Sequence, residues 1–343
     1  MRKKNAYIPL LTLTAACLMV AGTVHAGVKV TGNVYGGGNN ADVQTNTVVK
    51  ISAGQVYGNV YGGGNLGDVG TINKSADYNY TWTQTDGSTA NVAGNNAISD
   101  TNNNTGLCTV TISGGAIGSA NTADDNHGNV FGAGKGEATT FWCERAIAYA
   151  TSVSISGGTV YNNVYGGGQI GRVEDDAKVE IGGASAESKA DIKGSVYGAG
   201  AGLETHGYSA LVRGNTKVTI EGYAKVGHSV YGGGEKASVG RYGLNAQKMP
   251  NILVGGGNCK VTIQGHAAIG ADVFGAGKGV NPAFDEENKP RRMTAVEGES
   301  QWETFDKAQD YFDFLETLAL ATKPEVTVDG SATVNGSVYG GGE

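Results

Sequence analysis

The chain has 343 residues, of which 58 are glycine and five are proline, and its formal net charge is −7 at pH 7. Glycine is more than twice as frequent as usual but shows no Gly-X-Y period, which excludes collagen. The acidic balance argues against nucleic acid or an anionic membrane as the main partner.

Residues 1–26 have the organisation of a secretory signal peptide. Three basic residues at positions 2–4 precede an apolar run from Ala6 to Val20, and Val24-His25-Ala26 resembles a cleavage site. Lipidation at Cys17 is the alternative, which the apolar residues after this cysteine disfavour. We therefore expect an exported protein whose mature part is residues 27–343, without a transmembrane segment because no second long apolar run follows.

Eight copies of a Val-[Tyr/Phe]-Gly-[Gly/Ala]-Gly element punctuate the mature part. They begin at Val34, Val60, Val130, Val164, Val196, Val230, Val273 and Val338. A second element, Val-x-Ile-x-Gly, stands upstream of most copies, as in Val153–Gly157 and Val218–Gly222. Alternation of this kind predicts short strands with one apolar face, each ending at glycine.

The glycine triplets, as in Gly36–Gly38, are predicted to be corners. There we expect a positive φ angle and a close approach between neighbouring repeats, which only glycine permits. One repeat buries too few branched side chains to be stable alone, so stacked copies should share a core. The predicted fold is all-β, a parallel β-helix (β-solenoid) of glycine-rich repeats. A stack of small antiparallel β modules is the alternative.

Stacked repeats would place their aromatic residues in a ladder that is mainly structural. Its members are Tyr35, Tyr61, Phe131, Tyr165, Tyr197, Tyr231, Phe274 and Tyr339.

Three insertions interrupt the repeats, at residues 65–109, 136–152 and 280–323. The first reads as a long loop with one short strand. The last contains one predicted amphipathic helix at about 301–321, because Ser300 and Glu303 form a capping-box pattern. Trp302, Phe305, Phe312, Leu315 and Ala319 would form its buried face. The chain stops inside a repeat, which suggests a fragment or a partner that covers this edge.

The search for catalytic and cofactor chemistry gives weak signals. The two Gly-Ala-Gly-Lys-Gly sequences, at Gly132–Gly136 and Gly275–Gly279, lack the Ser or Thr that a phosphate-binding loop needs after its lysine. The histidines at positions 127, 206, 228 and 266 have no zinc-ligand spacing. We therefore predict no cofactor and no metal, and at most one disulfide, Cys108–Cys143.

Two acidic clusters, Asp124-Asp125 and Glu174-Asp175-Asp176, are the candidates for an enzymatic alternative. Some parallel β-helices degrade polysaccharides with carboxylates that converge in one groove. Both clusters read equally well as solvated turns, so we predict no catalytic residues.

The sequence Tyr-Asn-Tyr-Thr-Trp, residues 78–82, is the best ligand-binding candidate. A strand here would place Tyr78, Tyr80 and Trp82 on one face, and rows of exposed rings are suitable platforms for sugars.

The eight Val-Tyr-Gly-Gly-Gly-type elements, with their Val-x-Ile-x-Gly strands, resemble the glycine-rich repeat surface proteins of Bacteroidetes-type bacteria. The resemblance covers about residues 27–343. It implies an adhesin-like protein at the cell surface or outside the cell, with a parallel β-helix fold, and it carries over no functional residues.

The sequence therefore predicts a non-enzymatic surface protein that binds glycans or cell-surface or matrix proteins through loops on an elongated solenoid. Two alternatives stay open. One is a polysaccharide lyase or hydrolase on a β-helix, and the other is a purely structural spacer.

Overall fold

The computed structural model describes residues 27–74, 79–83, 89–93, 98–100, 105–121, 126–137, 145–204, 209–244, 250–296 and 299–343. Within residues 72–104, 243–254 and 293–301 it describes the backbone only. The predicted signal peptide, residues 1–26, lies outside the described part of the chain.

The described chain is all-β, and its main sheets, which we call A, B and C, are parallel. Sheet A contains Lys29–Val30, Gln55–Val56, Ala116–Ile117, Gly158–Val160, Ala190–Ile192, Lys225–Val226, Ala268–Ile269 and Thr333–Val334. Sheet B contains Val34–Tyr35, Val60–Tyr61, Val130–Phe131, Val164–Tyr165, Val196–Tyr197, Val230–Tyr231, Val273–Phe274 and Val338–Tyr339. Sheet C contains Thr47–Ile51, Leu107–Ile112, Ala150–Ile155, Ala177–Ile181, Thr216–Ile220, Asn258–Ile263 and Lys323–Val328. We number the repeats 1 to 8 by their sheet B strands.

The repeat sequence determines the register of these sheets. Equivalent residues pair between neighbouring repeats, such as Val164 with Val196 in sheet B and Val153 with Val179 in sheet C. One core contains the buried valines and isoleucines of all three sheets. The alternating residues of sheet C, such as Lys217, point to solvent. The prediction of parallel strands is thus confirmed, and the alternative of antiparallel modules is wrong for these sheets.

The glycine triplets lie at the ends of the sheet B strands, where neighbouring repeats come close. A Cβ atom on Gly198 would clash with the carbonyl oxygen of Gly232 in the next repeat, and Gly166 and Gly232 meet the same obstacle one repeat away. The predicted close approach is confirmed. The predicted positive φ is wrong, because the left-handed residue follows the triplet and is not glycine, as at Ile170 (φ 66°) and Lys236 (φ 54°).

The described residues of the first insertion form four short strands before the sheet C strand Leu107–Ile112, where the sequence predicted one. Ile72–Lys74 pairs with Ile98–Asp100, and Asn79–Thr83 pairs with Thr89–Ala93, both antiparallel. A further antiparallel pair, Arg241–Leu244 with Pro250–Gly255, was not predicted.

The predicted helix exists but is shorter, at Ala308–Leu315 (α1). The capping box at its start is wrong, since residues 299–304 form a strand, Glu299–Thr304, that pairs antiparallel with Pro290–Val296. Nε of Arg292 donates to Oε2 of Glu303 at 2.8 Å, so this carboxylate is engaged across the hairpin. Pro290–Val296 also pairs with Ala283–Phe284. Cross-strand pairing has overridden the local helical pattern.

The buried face of α1 also differs from the prediction. Tyr311 and Phe314 are buried, whereas Phe312 is 44 % exposed and Trp302 is 47 % exposed. The guanidinium of Arg291 lies over the Trp302 ring, 4.1 Å from its centroid. Within the described ranges, no helix has both the length and the apolar character needed to cross a membrane.

Candidate functional site: a polar groove beside the aromatic ladder

The aromatic residues of sheet B form one continuous stack through all eight repeats. Neighbouring ring centroids are 4.7–5.0 Å apart, and the rings are within 3–9° of parallel. The six internal rings, from Tyr61 to Phe274, are 0–7 % exposed. Both faces of each internal ring contact another ring, so neither face is free to stack on a sugar. The prediction that this ladder is structural is confirmed.

Polar side chains that stand just before the sheet B strands in the sequence form a second ladder. Oδ1 of Asn59 accepts from the backbone N–H of Asn129 at 2.8 Å, and Oδ1 of Asn163 accepts from that of Ser195 at 2.8 Å. Asp272 closes the series by accepting from the N–H of Ser337 at 2.7 Å. These bonds satisfy backbone donors at the turn before each sheet B strand. They fix one wall of the site described next.

Tyrosine hydroxyls of the even-numbered repeats reach acceptors that lie two repeats away. Tyr61 donates to Oε1 of Gln169 at 2.5 Å, and Tyr165 donates to Oε2 of Glu235 at 2.5 Å. Tyr231 donates in the same way to Glu343. The residue after the glycine triplet therefore covers the hydroxyl edge of the ladder.

Repeats 3 and 5 break this pattern. Phe131 has no hydroxyl, and the residue that stands two repeats further at the acceptor position is Ala201. Bridges align Gln169, Ala201, Glu235 and Lys278 in one row. Because Ala201 is short, the row has a gap between Gln169 and Glu235.

The gap opens into a groove of about 530 Å³ that runs along the hydroxyl edge of the ladder. Its polar lining residues are Asn162, Asn163, Gln169, Lys193, Ser195, His228, Glu235, Lys236 and Lys278. Tyr165 and Tyr197 contribute to the floor. This volume is within the range of about 300–1,000 Å³ that is typical of ligand sites.

The charged groups of the groove are mostly cationic. Nζ of Lys193 is 2.7 Å from Oδ2 of Asp191, so this lysine is already paired. Lys236 and Lys278 form no ion pair within the described residues, although their backbones meet through a bond of 2.7 Å from Lys236 N–H to Lys278 C=O. The single carboxylate of the groove, Glu235, accepts the Tyr165 hydroxyl.

The phenols of the floor stay neutral over a wide pH range. Burial raises the pKa of Tyr165 well above its ordinary value, and the negative charge of Glu235 raises it further. Burial followed by the Glu235 charge also raises the pKa of Tyr197. Below these pKa values both hydroxyls keep their protons and act as hydrogen-bond donors.

The candidate aromatic site falls in the strand Asn79–Thr83. The backbone register places Tyr80 opposite Val92 and Trp82 opposite Ala90. Tyr78 lies outside the described residues. The expected strand is therefore confirmed, and the ligand-binding role of Tyr78, Tyr80 and Trp82 stays a prediction.

Within the described acidic cluster, Asp176 is exposed as a solvated turn would have it, whereas Glu174 is not. Glu174 is 2 % exposed. Its Oε1 is 2.5 Å from Nε of the fully buried Arg172, and its Oε2 accepts from Nη1 of Arg213 at 2.6 Å. Asp176 accepts the backbone N–H of Asn215 at 2.8 Å. Glu174 and Asp176 thus hold neighbouring repeats together, while Asp124 and Asp125 lie outside the described residues.

The predicted disulfide is not formed, because Cys108 is a buried free thiol. Cys143 and His206 lie outside the described part of the chain. His266 stacks on Tyr223, with 4.8 Å between ring centroids. No three His, Cys, Asp or Glu side chains of the described residues form a group that could hold a metal ion.

The groove was not predicted from the sequence. A usable signal was present, since the position after each Gly-[Gly/Ala]-Gly triplet varies in chemistry while the triplet itself is constant. Its residues are Asn39, Asn65, Lys135, Gln169, Ala201, Glu235, Lys278 and Glu343. Comparison of the chain with protein-family models, curated proteins and solved structures found no match.

Proposed function

We propose that this chain is an exported, adhesin-like bacterial surface protein that binds glycans, or partner proteins that carry them, without chemical turnover. Its three parallel sheets would close into a parallel β-helix in which each repeat forms one turn. The common core of the three sheets supports this closure. A crystal structure in which the sheets do not close would contradict it.

The observation that carries the proposal is the groove beside the aromatic ladder. Its walls combine amide, hydroxyl, imidazole and ammonium groups, which suit a ligand with many hydroxyls. A binding surface on a rigid stack of repeats needs no movement of the backbone to accept an extended chain. The strand with Tyr80 and Trp82 is a second candidate surface, proposed from its sequence.

The first experiment incubates the purified chain with a panel of polysaccharides and measures retention together with new reducing or unsaturated ends. We expect retention without products. Products would contradict the proposal and favour a lyase or hydrolase. The absence of both signals would favour the structural spacer.

Two sets of variants then locate the binding surface. Tyr80→Ala and Trp82→Ala test the strand of the first insertion, and Ala201→Gln tests the groove by filling its gap with the side chain of the equivalent residue in repeat 4. Tyr223→Ala, at an exposed position outside both surfaces, is the control. If one set of variants loses retention and the other keeps it, the set that loses retention identifies the binding surface.

The proposed location is tested in intact cells of the source bacterium. We expect external protease to remove the protein while a cytoplasmic marker stays intact. If the protease cleaves the protein only after the cells are lysed, surface exposure would be contradicted.

A further inference from the structure

We propose that the groove selects saccharides that carry carboxylate groups, and that Lys236 and Lys278 bind the carboxylate beside Ala201. This inference rests on the proposed function, because it names the ligand class of the same site.

The first argument is the charge of the two lysines. They lie on neighbouring repeats, joined by the backbone bond of 2.7 Å from Lys236 to Lys278, and both are half-buried. Neither has a carboxylate partner within the described residues. Two ammonium groups that line one groove without an ion-pair partner favour an anion there.

The second argument is the charge balance of the groove. Lys236 lines the groove together with Lys278. Its neighbour Glu235 is fixed by the Tyr165 hydroxyl. Glu235 keeps its negative charge while it accepts this bond, but the two lysines outnumber it in the lining of the groove, so positive charge is in excess there.

The third argument is the space beside them. In the row, Ala201 lies between Gln169 and Glu235, and Lys278 follows Glu235. The gap at Ala201 and the two lysines line the same groove. Asn162, Asn163 and Ser195 also line the groove. Ammonium groups together with neutral polar groups fit a sugar that presents both a carboxylate and hydroxyls.

The test compares a trimer of galacturonic acid with its carboxyl-reduced form, in which a neutral hydroxymethyl group replaces each carboxylate. Calorimetry with the purified chain should show that the acidic trimer binds at least about tenfold more tightly than the neutral one. The difference should shrink as salt is added. Inorganic phosphate at equal ionic strength serves as a third arm, and it should bind much more weakly than the trimer.

The variants separate a specific site from general charge attraction. We expect the double variant Lys236→Ala/Lys278→Ala to lose the preference for the acidic trimer. The control Lys217→Ala/Lys225→Ala removes the same charge from exposed positions in sheets C and A, and it should keep the preference. Ala201→Gln should weaken both trimers, because it fills the space without removing a charge.

The outcomes distinguish this inference from the proposed function. Equal binding of both trimers, unaffected by the lysine variants, would overturn the inference and leave glycan binding intact. An equal loss of the preference for the acidic trimer in Lys236→Ala/Lys278→Ala and in the control Lys217→Ala/Lys225→Ala would also overturn it. The preference would then depend on the net charge of the protein. Tight binding of phosphate alone would overturn the saccharide assignment. Failure of every glycan to bind would overturn the proposed function itself.

Discussion

The hydroxyl of Tyr165 donates a hydrogen bond of 2.5 Å to Oε2 of Glu235, which stands two repeats further along the stack. The ring of Tyr197 lies in the repeat between them. Hydrogen bonds of this length between a phenol and a carboxylate are among the stronger ones in proteins. This bond therefore ties repeats together beyond the contacts of nearest neighbours.

The variant Tyr165→Phe tests the strength of this bond. The ring stack should persist, because phenylalanine occupies the same position in repeats 3 and 7. We expect the free energy of unfolding to fall by about 1.5–3 kcal/mol, the range for hydrogen bonds to charged groups. Urea denaturation of Tyr165→Phe, Glu235→Ala and the double variant measures the coupling. If the double variant lost the sum of the two single losses in the free energy of unfolding, the bond between Tyr165 and Glu235 would be contradicted. The control is Tyr223→Phe, at an exposed position.

Gly198→Ala tests the requirement for glycine in the triplets. Its Cβ atom would clash with the backbone of Gly232 and lie 3.0 Å from Cβ of Thr216. We expect a loss of about 1–3 kcal/mol or more in the free energy of unfolding, because the neighbouring backbone cannot move without disturbing the stack. The control is Gly182→Ala, whose Cβ would meet only Cγ of Glu221 at 3.8 Å. Similar thermal unfolding of both variants would contradict the close-approach argument.

Glu174→Ala removes the carboxylate between two buried guanidinium groups. Arg172 and Arg213 would keep their charges without this counter-ion, and we expect a loss of about 3–5 kcal/mol in the free energy of unfolding. Glu180→Ala is the matched control, because its partner Lys178 is at 2.7 Å but both side chains are well exposed. That variant should lose at most about 1 kcal/mol. An equally small loss in Glu174→Ala would show that the buried cluster contributes little.

Cys259→Thr replaces a buried thiol with the residue that three equivalent positions carry. Oγ1 of Thr216 donates to the carbonyl oxygen of Gly232 at 2.5 Å, and Thr47 and Thr151 make the same bond in their repeats. We expect the new hydroxyl to bond to Gly275 and to raise the free energy of unfolding by up to about 1 kcal/mol. Chemical denaturation checks this, and a clear destabilisation would contradict the equivalence of the positions.

Alkaline pH should destabilise the fold. Burial raises the pKa of the Cys259 thiol from 9.0 to about 11 and that of Cys108 to about 12. The native state therefore keeps protons that the unfolded state releases, so the free energy of unfolding falls as the pH rises from about 9 towards these values. The buried phenols, such as Tyr165, act in the same direction above about pH 10.

Urea midpoints between pH 7 and pH 11 measure this dependence. The midpoint should be constant up to about pH 8 and should then decline. Cys259→Thr should decline less steeply near pH 9–10, because one titrating group is absent. A midpoint that rises with pH would contradict the assigned direction of these pKa shifts.

Local pattern was sufficient for the repeating parts of the chain. Each Val-Tyr or Val-Phe pair lies in a sheet B strand, and Val153 and Val218 lie in sheet C strands as their alternation predicted. Periodic sequences carry this information because each repeat has the same neighbours, so one local rule applies eight times. The aromatic ladder follows from the same argument.

The non-repeating parts depended on tertiary contacts. Ser300 and Glu303 have the spacing of a helix cap, but they pair with residues 290–296 instead. Glu174 looked like a solvated acid, but stacking brought Arg213, 39 residues later, to its side. No local rule encodes either partner.

The sequence by itself determined the all-β class, the positions of the repeating strands and the ladder, because these depend on alternation and on glycine at fixed spacing. Only the tertiary structure decided where the groove lies. The hydroxyls of Tyr61, Tyr165 and Tyr231 find their acceptors two repeats away, whereas Phe131 has no hydroxyl and the matching position, Ala201, lines the groove. The two partners of such a hydrogen bond are 70 to 112 positions apart in the chain. No single repeat contains both partners, so the sequence of one repeat cannot reveal the position of the groove.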